Sequence, residues 1–226
     1  SLLKAGIANQ KLTIQKMLEE NESRADFFVQ SFGSGIEWSD MVNRVERMEN
    51  ITKADVVEFA NKYLKDSNYA VVYKRQGQDP NEKKIAKPAI TPIMTNRDTT
   101  SAFLREIQKS VVTPIEPVFV DFNKDMERGE IGMLPMLYKK NVMNDIFTLK
   151  YIFDFGTNEI KTLGLARDYM DYLGTSDMTA AEIKQAFYNL ASNYSISTGT
   201  RKTTITVSGL SENMKEAMSL LEKVVT

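Results

Sequence analysis

Apolar positions recur at helical spacing through the first third of the chain. Leu3, Ile7, Leu12, Ile14, Met17 and Leu18 predict an amphipathic helix, and Ala25, Phe28, Val29 and Phe32 continue that character up to the stop signal Gly33-Ser34-Gly35. A second helix is predicted from Ser39, carrying Met41, Val42, Val45 and Met48 as far as Asn50. Thr52, with Asp55 three residues on, is a capping-box entry to a third. There Val56, Val57, Phe59, Ala60 and Leu64 supply a stripe expected to be buried. At Asn68 the period changes. Tyr69-Ala70-Val71-Val72-Tyr73 is rich in β-branched and aromatic residues and predicts a strand.

From Gln78 to Val118 the pattern breaks down among Pro80, Pro88, Pro92, Pro114 and Pro117, which makes 78–118 the linker of a three-part chain. Phe103, Leu104, Ile107 and Val111 mark one short helix inside it, expected to pack against a domain. The exposed lysines and arginine of this stretch, Lys83, Lys84, Lys87 and Arg97, are the expected sites of early tryptic cutting.

The second half alternates strand and helix. Met133 to Tyr138, interrupted by Pro135, and Phe147 to Phe155, ending at Gly156, predict two strands of one sheet. A helix over Leu163 to Leu173 stops at Gly174, and Thr179 caps another over Ala180 to Asn193, with Ile183, Phe187, Leu190 and Ala191 inward. Ser195 to Ser197 and Thr203 to Ser208 form a hairpin turning at Thr198 to Lys202. Ser211 then caps a last helix bearing Met214, Ala217, Met218, Leu221 and Val224. The expected class is α+β, with helices packed on a largely antiparallel sheet.

Composition narrows the chemistry. Lysine and arginine number 29 against 30 acidic residues, so a net charge of -1 gives no reason to expect nucleic acid or an anionic membrane as partner. No apolar run reaches the ~18 residues of a membrane span, and Ser1-Leu2-Leu3-Lys4-Ala5 is not a signal peptide. The sequence has no cysteine and no histidine. Disulfides, thiolate sites, Ser-His-Asp and Cys-His arrangements and every histidine-containing metal motif are thereby excluded, leaving carboxylate, lysine, tyrosine or backbone chemistry. No catalytic residue is assigned, and no cofactor is expected in this chain.

The order of these elements resembles the insulinase/pitrilysin zinc peptidases. The strand to Phe155, then Gly156, Gly164-Leu165-Ala166-Arg167-Asp168-Tyr169-Met170-Asp171-Tyr172-Leu173-Gly174-Thr175, Thr179-Ala180-Ala181-Glu182-Ile183, the hairpin and the terminal helix follow the opening of one repeat domain of that family. The Trp38 helix, Ile51 to Val57, Tyr63-Leu64 and Tyr69 to Tyr73 resemble the close of the preceding repeat. The resemblance implies two partial repeat domains of a clamshell peptidase: 1–77 as the end of one, 78–118 as linker, and 119–226 as the start of the next, non-catalytic one.

Active halves of the family carry His-x-x-Glu-His, in which two histidines hold zinc and the glutamate activates water. Aligned on Gly-Leu-Ala, those positions are Arg167, Met170 and Asp171, a degenerate motif on a helix about two residues short. The resemblance places zinc elsewhere in the parent protein and implies a peptide substrate there, with the rest of the parent chain as this segment's partner. Exposed sheet edges predict self-association of the segment by itself. A binding or scaffolding role in an inactive member of the fold is the alternative, and an unrelated α+β binding module a third. Bacterial two-half members are often exported, which favours a periplasmic location, with a cytoplasmic one open.

Smaller constellations have plainer readings. Asp168 and Asp171, with Asp154 or Glu159 nearby, could hold a hard cation, although a solvated helix face accounts for the spacing. Arg167 and Asp171 are spaced for a surface ion pair. Tyr169, Tyr172, Tyr188 and Tyr194 could line a peptide groove or serve the core, and Arg201 and Lys202 belong to a hairpin turn. Substrate-binding residues are not assigned.

Overall fold

The computed structural model describes residues 1–77, 83, 85–93, 95 and 99–226. Of the residues named above, Gln78, Pro80, Lys84 and Arg97 lie outside the described ones, whereas Lys83 and Lys87 are exposed. The fold is α+β. Contacts divide the chain into two units, Ser1–Asn68 with Lys140–Thr226, and Tyr69–Lys139. The first helix packs on the helix at Arg44–Glu49 and also on partners more than a hundred residues downstream, which lie beyond the reach of any local pattern.

In the larger unit α1 (Leu2–Met17) is capped by Ser1, and α2 (Asn21–Ser34) ends on Gly35 in the left-handed region, φ 62°. The single helix expected to Asn50 is two, α3 (Trp38–Val42) and α4 (Arg44–Glu49), separated at Asn43. Thr52 and Asp55 form the expected capping box at α5 (Lys53–Tyr63). The stripe behind that box is not buried: Val56, Val57, Phe59 and Leu64 are all exposed, as are Phe28, Val29 and Phe32 of α2. Helical spacing reports an amphipathic face, and whether a face meets a partner is decided elsewhere in the chain.

The second part of this unit is a three-stranded antiparallel sheet in the order β3-β5-β4, with β3 (Ile146–Phe153), β4 (Ser192–Thr198) and β5 (Thr203–Leu210). Between β3 and β4 run α7 (Leu163–Met170) and α8 (Ala180–Asn189), and a 3-10 turn at Ser211–Asn213 leads into α9 (Met214–Val225). The Thr179–Glu182 capping box at α8 forms as its spacing predicts. Strand alternation separates two faces. On one, Phe147, Leu149, Tyr151, Ile205, Val207 and Tyr194 pack with Ile183 and Phe187 of α8 and Ala217 and Leu221 of α9. Each fully buried Leu or Phe here contributes about 1.5–3 kcal/mol. At one end of the sheet, Leu12 and Ala8 of α1 pack on Ile146, Ala191 and Leu210. Asn9 Nδ2 reaches the Tyr188 carbonyl at 2.7 Å, which pins α1 to α8.

In Tyr69–Lys139, α6 (Ala102–Lys109) is capped by Ser101, and β1 (Glu127–Ile131) pairs antiparallel with β2 (Leu134–Tyr138) around Gly132. Three expectations are corrected here. Tyr69 to Tyr73 forms no strand, because no neighbour supplies the ladder of hydrogen bonds a strand needs. The strand at Leu134–Tyr138 belongs to a separate two-stranded sheet, since it pairs with the charged β1 rather than with β3. Phe103, Leu104 and Ile107 of α6 are exposed, so that helix does not bury its apolar face. Among the described residues no helix is long and apolar enough to cross a membrane.

Candidate functional site

Arg167 and Met170 sit on α7 with Asp171 just past its end, and the surroundings of this helix explain Gly156 and Gly174 on either side. A side chain at Gly156 would collide with the Gly199 carbonyl and the backbone of Thr200 and Arg201 in the β4–β5 turn. The Thr157 and Asn158 amides donate to the Gly199 and Thr200 carbonyls, each at 3.0 Å, so this close approach is what ties the end of β3 to the hairpin. Gly174 lies against the Met178 carbonyl, which also accepts the Thr175 amide at 2.8 Å. These glycines are needed for packing.

α7 ends at Met170, with Asp171 as its C-cap, three residues before the Leu173 expected. Position 171 therefore lies at the frayed edge of the helix. Arg167 pairs with Asp168 at 3.0 Å, not with Asp171 as the i,i+4 spacing suggested, and its Nε is buried without a partner among the described residues. Asp171 keeps helical backbone angles, so the early end of the helix does not account for the choice. The other carboxylates are held apart. Asp154 pairs with Lys202 at 3.5 Å and Glu159 Oε2 accepts the Gly156 amide at 2.8 Å, so neither joins Asp168 and Asp171. Among the described residues no three acidic, histidine or cysteine side chains gather in a metal-binding arrangement.

Zinc chemistry does not fit these residues. Tight sites draw on imidazole and thiolate, both absent from the sequence, and Arg167, Met170 and Asp171 offer one carboxylate between them.

The four tyrosines separate. Tyr169 and Tyr172 are well exposed on and just past α7, whereas Tyr194 is half-buried with its ring 4.8 Å from that of Phe187. Tyr188 and Tyr194 share a cleft of about 330 Å³ with Asp171, Lys184, Phe187 and Asn193. Burial first, and the Asp171 carboxylate second, raise the Tyr194 phenol above its ordinary range. The turn into β4 is set by Ala191, a fully buried residue with φ 42° whose amide donates to the Tyr188 carbonyl. An alanine held in the left-handed region costs about 1–3 kcal/mol. Its Cβ is kept there by packing among Leu12, Ile146 and Leu210.

No protein-family profile matches the chain, and no curated protein matches it in sequence. Among solved structures, the chain is similar to the periplasmic protease PqqL from Escherichia coli, with a TM-score of 0.39 and 9% identity. The match covers 84% of this chain and 21% of that one, so the chain spans about a fifth of the length of the protein it matches.

Proposed function

We propose that this chain is a non-catalytic segment of a zinc-dependent endopeptidase of the insulinase/pitrilysin type, contributing the clamshell linker and part of the wall of a substrate chamber. The observation that carries the reading is the run β3, Gly156, α7, α8, β4–β5 hairpin and α9 in family order, with Arg167, Met170 and Asp171 where zinc ligands and the water-activating glutamate would stand. On this reading, 1–77 closes one repeat, 78–118 links, and 119–226 opens the next. The metal, the catalytic glutamate and the peptide substrate belong to other parts of the parent protein, whose export is a further expectation.

The dialysed chain is expected to contain no equimolar zinc and to leave quenched peptide substrates intact with and without added metal. Equimolar zinc, or cleavage abolished by a chelator, would sink the proposal. The triple variant Arg167→His, Met170→Glu, Asp171→His is expected to gain only weak zinc affinity, because α7 ends at Met170 and no third ligand is present. A parent gene without His-x-x-Glu-His would move the chain to the binding or scaffolding reading.

A further inference from the structure

We propose that the cleft where α7 and α8 end is a binding site for a primary ammonium group carried by a peptide. The proposal rests on the cleft's own geometry and stands whether or not the parent protein cuts peptides.

Two helices finish here. Asp171 caps α7, and Lys184, Phe187 and Tyr188 of α8 line the cleft together with it. The Asp171 carboxylate adds a full charge and belongs to no ion pair among the described residues, since Arg167 is engaged by Asp168. Tyr194, half-buried against Phe187, adds an aromatic ring to the lining, and aromatic rings attract cations. Tyr194 makes no hydrogen bond to another described residue, so its hydroxyl remains available to a ligand. A cleft of about 330 Å³ accommodates one amino-acid side chain with its stem.

The site is also held in place. Asn9 of α1 fixes the Tyr188 carbonyl, Ser192 Oγ donates to the Phe187 carbonyl at 3.3 Å, and the left-handed Ala191 aims the start of β4. These contacts engage the Tyr188 and Phe187 carbonyls, so Asp171 and the tyrosine rings are the groups left for an incoming cation. Lys184, exposed on α8 at the rim, is a cation of the chain itself and competes for the same carboxylate.

The two sources of such a group are a lysine side chain and a peptide N-terminus. Amide chemical-shift perturbation of the nitrogen-labelled full chain separates them, using Nα-acetyl-lysine methylamide, alanyl-alanine methylamide and, as a control without an ammonium, Nα-acetyl-norleucine methylamide. Saturable shifts at Asp171, Tyr188 and Tyr194 are expected in the millimolar range for an ammonium ligand, with the lysine compound tighter if the long stem fills the cleft. The norleucine compound is expected to produce none. Asp171→Asn should weaken binding about tenfold, the loss of one charge-assisted contact. Lys184→Met should tighten it. Absence of saturable shifts for both ammonium compounds, equal binding of the norleucine control, an unaffected Asp171→Asn, or weaker binding by Lys184→Met would each overturn the proposal. Both substitutions are at exposed positions, and the rest of the spectrum reports whether the fold is retained.

Discussion

α5 and α8 begin with the same device and end in different circumstances. In each, a threonine hydroxyl accepts the amide of the residue three ahead while that residue's carboxylate accepts the threonine amide, Thr52 with Asp55 and Thr179 with Glu182. α8 then buries Ile183 and Phe187 against the sheet, whereas α5 buries no residue at all. The capping box starts a helix from local chemistry alone, and stability comes from what the apolar face meets afterwards. A helix with a good start and no partner is held by its first turn.

The largest contrast is expected in the two phenylalanines. Phe187→Ala should lower unfolding free energy by about 3–5 kcal/mol, the cost of a cavity in a close-packed core. Phe59→Ala, on a residue that touches chiefly Tyr63, should cost no more than ~0.5 kcal/mol. Urea denaturation of both variants checks this, and a comparable loss for Phe59→Ala would mean that α5 has a buried partner in solution.

Removing the caps sharpens the same comparison with a smaller effect. Thr179→Ala should cost about 1 kcal/mol of global stability. Thr52→Ala should leave the global midpoint in place and increase amide exchange only in the first turn of α5, because fraying there uncovers no core. Hydrogen exchange followed residue by residue distinguishes local from global loss.

Acid should act on both boxes in the same direction. Hydrogen bonds from Thr179 hold Glu182 below its ordinary pKa, and those from Thr52 do the same for Asp55. A carboxyl with a depressed folded pKa contributes stability that is present above its unfolded value and is lost as pH falls through the folded one. Below pH ~4 the α8 box should therefore weaken the whole unit slightly, while loss of the α5 box should appear only as local fraying.

The smallest effect concerns Tyr194. Its raised pKa contributes stability fully present below the ordinary tyrosine value of ~10 and lost as pH climbs from there toward the folded pKa. Ultraviolet titration, with Tyr194→Phe as the difference reference, should place its ionisation above the ordinary tyrosine value. Asp171→Asn should bring it only part of the way back, because burial is the larger cause. A full return would mean that charge rather than burial dominates the cleft.

Legibility in the sequence follows the reach of each interaction. Ser1, Thr52, Ser101 and Thr179 act within three residues, and the caps predicted at Thr52 and Thr179 form as spaced. The β4–β5 hairpin needs only its own turn, so it too was readable, though both strands run longer than predicted. Tyr69 to Tyr73 has strand composition without a ladder partner, and β1, with Glu127, Arg128 and Glu130, has a partner without strand composition. Pairing decided both. Leu12 gave a helical stripe but no indication that it meets Ile146, Ala191 and Leu210. The candidate cleft was partly visible: Asp171 and Tyr194 were both singled out, for different roles. Their juxtaposition depends on how α7 and α8 fold back on β4, and Lys184 and Phe187 carry no signal of their own for it. The early end of α7 was hidden because no capping side chain marks that terminus.

The strand β3 is hydrogen-bonded to β5 along one side, and its other side faces no strand among the described residues. Lys150, near the middle of β3, is the strand's one charged residue. Two copies meeting antiparallel along this edge would bring their lysines close together, and that repulsion acts as a colloidal safeguard in dilute buffer. Added electrolyte shortens the range of the repulsion to a few ångströms at about 1 M. Salting this protein during purification or crystallisation is thus expected to favour closed pairs of copies joined along β3.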